Sequence, residues 1–197
     1  MRAQVTHRSA AAIGLAASLV GTSVLAGCSS PTTSDSAPAV KPSASAAAVV
    51  RLALPAELYG LPQSKDEKWL KVPKSMEVAL KGDVLPPEGG SVAAAYLDPA
   101  DVLETIELSV AAGRVVDPAS VLRRNLGTQT VELEDVRPVV LGTGGAVGSC
   151  GVSHELRPAV ETICNWAAPG SVGWVRITSL KKDRRDRFAE LHSQLVR

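Results

Sequence analysis

Three cysteines, two histidines downstream of His7 and a dense basic run hold most of the reactive chemistry available to this 197-residue chain. Cys28, Cys150 and Cys164 are an odd number, so at least one does something other than pair within the chain. His154 stands beside Glu155, and His192 lies near the C-terminus. No His-x-x-x-His or Cys-x-x-Cys spacing occurs, so the sequence supports no metal site and calls for no cofactor. Ser149 is not in a Gly-x-Ser-x-Gly elbow. The glycine-rich run from Gly142 to Gly148 lacks both a P-loop lysine and a following helix, which makes it a turn rather than a phosphate cradle. Lys181, Lys182, Arg184, Arg185 and Arg187 form a basic patch diluted by Asp183 and Asp186. Such a patch could meet anionic headgroups or cell-wall polymers, at about 1 kcal/mol per charge near an anionic membrane. The plainer alternative is the solvated face of a helix capped by Asp183. A net charge of +1 and 3% aromatic residues leave neither the basic field nor the stacking platforms that nucleic-acid binding needs.

These groups must be positioned by the elements around them, beginning with the N-terminus. Arg2, His7 and Arg8 precede an uncharged stretch that ends in Leu25-Ala26-Gly27-Cys28. A basic start, a short apolar run and small residues before a cut describe a secretory signal over residues 1–27. Ala10 to Ala26 is short and weakly apolar for a permanent span. Leu25 to Cys28 resembles the bacterial lipoprotein box. That resemblance implies a diacylglyceryl thioether on Cys28, cleavage between Gly27 and Cys28, and attachment to the extracytoplasmic face of the cell membrane. The alternatives are an ordinary cleaved signal or an uncleaved anchor that happens to end in cysteine. Removing residues 1–27 takes away Arg2 and Arg8 and moves the net charge from +1 to −1. Residues 28–48 then consist almost wholly of Ser, Ala, Pro and Thr, which cannot bury enough apolar area to offset ordering entropy and should serve as a disordered tether.

Residues 49–197 should form a single globular domain. Arg51 to Gly90 shows no clean periodicity and reads as loops with one short helix near Ser75 to Leu80. Ser91 to Leu97 and Leu103 to Val110 read as a hairpin about Asp98-Pro99. Asp117-Pro118 has the form of an N-cap followed by proline at the first helical position, with a helix from Ala119 to Leu126 and a stop at Gly127. Strands are expected at Thr130 to Leu141, Val147 to Ser153, Val160 to Ala167 and Val172 to Leu180. A closing helix is expected over Asp183 to Val196, where Phe188, Leu191 and Leu195 recur at helical spacing. The fold class is α+β, an antiparallel sheet with packed helices.

A hairpin register centred on Arg157 places Cys150 opposite Cys164, at disulfide distance, and Gly148 opposite Trp166. Closing a loop of about 15 residues this way contributes roughly 3 kcal/mol, and an exported domain permits the oxidation. A second hairpin through Pro169-Gly170 places Trp166 opposite Gly173 as well. The indole should therefore lie over two glycines as a core plug, although a ligand platform is the functional alternative.

Gly148 to Cys150, Cys164-Asn165-Trp166-Ala167 and Gly173-Trp174-Val175 resemble the C-terminal signature of a group of uncharacterised exported or membrane-anchored actinobacterial proteins. Leu58-Tyr59-Gly60-Leu61-Pro62, Ala94-Ala95-Tyr96 and Asp117-Pro118 are similar to earlier landmarks of that group. Its usual Asp is Ala168 here, so any role of that carboxylate is absent. The order of elements is also similar to the PsbP-like sandwich, a sheet between helices. Neither resemblance implies a known activity. The sequence therefore points to a non-catalytic cell-surface lipoprotein that binds a protein or an envelope component. The alternatives are a carrier of small apolar ligands such as lipids and, third, a hydrolase using His154.

Overall fold

The structure, a computed structural model, describes residues 50–142, 144–180 and 183–196. Cys28, Gly27 and the tether lie outside the described residues, as do Lys181 and Lys182.

Six antiparallel strands form one sheet. They are β3 (Leu85–Asp98), β4 (Asp101–Arg114), β5 (Glu134–Val139), β6 (Val147–Ser153), β7 (Val160–Ala168) and β8 (Ser171–Ser179). Their order is β3-β4-β8-β7-β6-β5, so a long hairpin and a four-strand meander join through β4 and β8. A small second hairpin, β1 (Glu57–Leu58) with β2 (Leu61–Pro62), precedes the sheet.

The sheet is covered on both faces. On one, Ala94, Tyr96, Ile106, Leu108, Val110, Val175 and Ile177 pack against α3 (Phe188–Leu195) and Leu58 of the small hairpin. On the other, Ala111, Ile163, Ala167, Val172 and Trp174 pack with Leu80 of α1 (Glu67–Lys81) and Val121 of α2 (Pro118–Gly127). Period-2 alternation assigns the faces, which is why Trp166 and Trp174 lie on opposite sides.

Where the sequence led to loops and a short helix near Ser75 to Leu80, the chain forms a 15-residue helix. Asp66 caps it by accepting from the Lys68 N–H at 3.0 Å. Pro73 inside this helix reads as a breaker, yet it is buried on the sheet, and its carbonyl accepts from Ser109 Oγ at 2.5 Å. Tertiary packing and a cross-element hydrogen bond offset the missing N–H. The first hairpin extends at both ends beyond Ser91 to Leu97 and Leu103 to Val110. By contrast β5 is shorter than Thr130 to Leu141, and Pro138 within it fits an edge strand. Asp117 accepts from the Ser120 N–H at 3.0 Å with Pro118 at the helix start, as expected for α2.

The C-terminal helix starts at Phe188 rather than Asp183. Residues Arg185–Arg187 form a 3₁₀ turn before it. Asp183 is not its N-cap. Its carboxylate accepts instead from the Arg185 N–H at 2.9 Å and from Thr162 Oγ1 at 3.2 Å, which ties the segment to β7.

Cys150 and Cys164 face each other across β6 and β7 and are joined by a disulfide, both fully buried. Trp166 pairs with Gly148 on one side and Gly173 on the other. Only Gly173 lies under the indole, since a Cβ built there would fall 2.1 Å from Cζ2 and Cη2. Above Gly148 the space is taken by Leu141 and Phe188, which corrects the expectation of a ring spanning both glycines. Strand pairing sets which residues are neighbours, whereas the side-chain torsions set where a large ring leans.

His192 presents its ring edge-on to Trp166 at 5.3 Å, and its Nε2 is buried without a hydrogen-bond partner. Burial holds its pKa below the ordinary value of 6.5. The folded state therefore disfavours the imidazolium. This stability is fully present above the unfolded pKa, roughly 6.5, and is lost as pH falls through the lower folded value. Melting curves at pH 7.5 and 5.0 should show a smaller loss for His192→Phe than for the native chain. An equal loss would show that His192 does not carry this dependence.

Candidate functional site

At the end of the sheet formed by the start of β4 and the close of β8, a cleft of about 290 Å³ opens on the α3 face. Tyr59, Leu61, Glu104, Ile106, Arg184 and Arg187 are among its lining residues. Segments 58–62 and 184–187 are far apart in sequence. They meet because the β1–β2 hairpin and the 3₁₀ turn both pack onto the same sheet face.

The hairpin turn is Tyr59-Gly60, with φ of 54° and 81°. Two successive left-handed residues fit a two-residue hairpin connection. Glycine takes such a conformation freely, but tyrosine does so at a cost, and the surroundings must hold it there. Its hydroxyl donates to the Arg187 carbonyl at 2.9 Å and reaches Glu190 Oε2 at 3.3 Å. The Arg187 guanidinium lies 4.6 Å from the ring centroid in cation–π contact. Burial first, and Glu190 second, push the Tyr59 hydroxyl pKa up to about 12, so it stays a donor.

Arg184, Arg185 and Arg187 of the expected basic patch are thus not on a solvated helix face. Arg185 is held by Asp183 at 2.5 Å and Asp135 at 2.8 Å, and it pins β5 to the turn. Those contacts, Arg185 first and then Arg137, lower the pKa of Asp135. Arg184 lies 3.7 Å from Glu104, while Glu104 Oε1 accepts from Ser179 Oγ at 2.9 Å and the Leu180 N–H at 3.1 Å. Among the described residues, no carboxylate comes within 4 Å of the Arg187 guanidinium. The charges of the patch were legible in the sequence. Their partners Tyr59 and Glu104 are not legible there, because nothing local in the sequence joins residues so far apart.

A second ionic group lies on the opposite face. Arg176 Nε donates to Glu107 Oε2 at 2.6 Å, and its Nη1 is 3.5 Å from Glu161. Both glutamates are buried, and Arg176 is 5.7 Å from the Trp174 ring. Burial raises the Glu107 pKa, with Arg176 opposing and Glu161 adding to the shift. His154 is exposed on the turn between β6 and β7, and among the described residues no hydroxyl or thiol hydrogen-bonds to it. No group of three His, Cys, Asp or Glu side chains gathers at metal-binding distance among the described residues. Likewise, none of their helices is long and apolar enough to cross a membrane.

The architecture is therefore an α+β domain, an antiparallel sheet with helices on both faces and a cationic cleft at one end. No protein-family model, curated protein or solved structure matches the chain.

Proposed function

We propose that this chain is a lipoprotein of the extracytoplasmic membrane face, anchored through diacylglyceryl on Cys28, whose domain is a non-catalytic binding module. The observation that carries the binding reading is the cleft, where a guanidinium that pairs with no carboxylate among the described residues is stacked on a tyrosine held in a left-handed turn. A half-buried cation of this kind gains more from an anionic partner than a fully hydrated one. A carrier enclosing an apolar ligand between sheet and α3 has less support, because Trp166, Phe188, Leu191 and Leu195 fill that layer.

Two readouts on the full chain test this. Intact mass after membrane extraction should show a chain starting at Cys28 with diacylglycerol added; an unmodified soluble chain would overturn the anchor. Photo-crosslinking in the intact envelope, with p-azidophenylalanine in place of Tyr59, should yield a discrete adduct. The same probe in place of exposed Arg123 should not. Absence of an adduct at Tyr59 would remove the binding reading.

A further inference from the structure

The geometry points to a ligand class for this cleft, an inference that rests on reading the domain as a binding module: a carboxylate joined to a small apolar group, as at the C-terminus of a peptide. Charge comes first. Among the lining residues two guanidinium groups, Arg184 and Arg187, face one carboxylate, Glu104, with Glu190 held at the Tyr59 hydroxyl at 3.3 Å. Glu104 is already engaged by Ser179 Oγ and the Leu180 N–H, and it stands too far from Arg184 for a direct hydrogen bond. Among the described residues, the Arg184 side chain donates no hydrogen bond, and the Arg187 guanidinium has only its ring contact. Two guanidinium groups with donors to spare can each present a fork to a two-oxygen anion, the geometry that arginine matches and lysine does not.

Shape and polarity decide between oxyanions. Leu61, Ile106 and Ile177 line the same cleft. A hydrated phosphodiester polymer would leave half-buried Leu61 facing water, whereas an apolar side chain attached to the carboxylate would cover it above the already buried Ile106 and Ile177. About 290 Å³ is at the small end for ligand sites and suits a terminal residue rather than a long chain. Tyr59 is fixed by its turn, its hydroxyl bond to the Arg187 carbonyl and the guanidinium upon it. The cleft thus has little ordering left to do when a ligand arrives.

The test uses the mature full chain in detergent, followed by the side-chain Nε–Hε resonances of its arginines. N-acetyl-L-leucine should shift the Arg184 and Arg187 signals saturably, and N-acetyl-L-leucinamide should not. Octanoate, a carboxylate without a peptide unit, separates a general apolar acid from a peptide terminus; binding by either acid supports the class. Arg187→Gln should weaken binding by about tenfold or more, as loss of a charge-assisted hydrogen bond implies, whereas Arg123→Gln should leave it unchanged. Equal binding of acid and amide, or preference for inorganic phosphate over both acids, would overturn the inference even if Arg187→Gln failed to fold. An adduct at Tyr59 with no carboxylate binding would remove this ligand class alone, while absence of the adduct would remove the module reading itself.

Discussion

Arg176→Met is expected to destabilise the domain by about 3–5 kcal/mol, the cost of removing one partner from a buried ionic group. Glu107 and Glu161 are both buried and converge on Arg176 from β4 and β7. Without the guanidinium, two carboxylates share a low-dielectric site with no compensating charge. Burial already raises the Glu107 pKa, and losing the opposing Arg176 charge must raise it further. A raised carboxylate pKa contributes stability that is present below the unfolded pKa and lost as pH rises through the folded one. The variant's deficit should therefore shrink on acidification towards pH 4, and Arg176→Met combined with Glu107→Gln should recover much of it at pH 7. Chemical denaturation of native and variant chains across that range measures both effects. A deficit under 1 kcal/mol, or one that grows as pH falls, would show that the three groups are not energetically coupled.

The second large effect concerns Trp166 and Gly173. Trp166 is fully buried between the disulfide strands and α3, so Trp166→Ala should cost about 3–5 kcal/mol through lost burial and the cavity left behind. Gly173→Ala introduces only a methyl group, yet its carbon would fall 2.1 Å from the indole. The ring is also closed in by Phe188 at 5.8 Å and His192 at 5.3 Å and has little freedom to withdraw. Overpacking of this kind costs about 3 kcal/mol. The two sites should be strongly non-additive: in a Trp166→Ala background, Gly173→Ala should be close to neutral, because the methyl group enters the vacated space. A double-mutant cycle measured by denaturant titration checks this, and additive costs would contradict the close approach.

Much of the sheet is legible in the sequence. The cysteine spacing and the Pro169-Gly170 turn led to two registers, and both pairs, Cys150 with Cys164 and Trp166 with Gly173, occur as expected. Alternation with a period of two is a local property, so a correctly placed turn determines every facing pair along a hairpin. The α2 start was legible for the same reason, since Asp117-Pro118 satisfies the helix N-terminus with residues adjacent in sequence. Reading α1 as mostly loop failed because Pro73 signals a break locally, while the forces that retain it come from Ser109 in another element.

The candidate site divides along the same line. Its cationic residues stood out as a cluster, and the basic run alone fixed the sign of their charge. Whether those charges would be solvated, paired or left facing a cleft depended on Asp135, Glu104 and Tyr59, which the fold brings from three distant segments. Sequence determines what can be decided within a turn, a cap or a hairpin, because those interactions join near neighbours. The tertiary structure decides where a half-buried charge finds its partner, because desolvation and ion pairing depend on distances in space that no local pattern encodes.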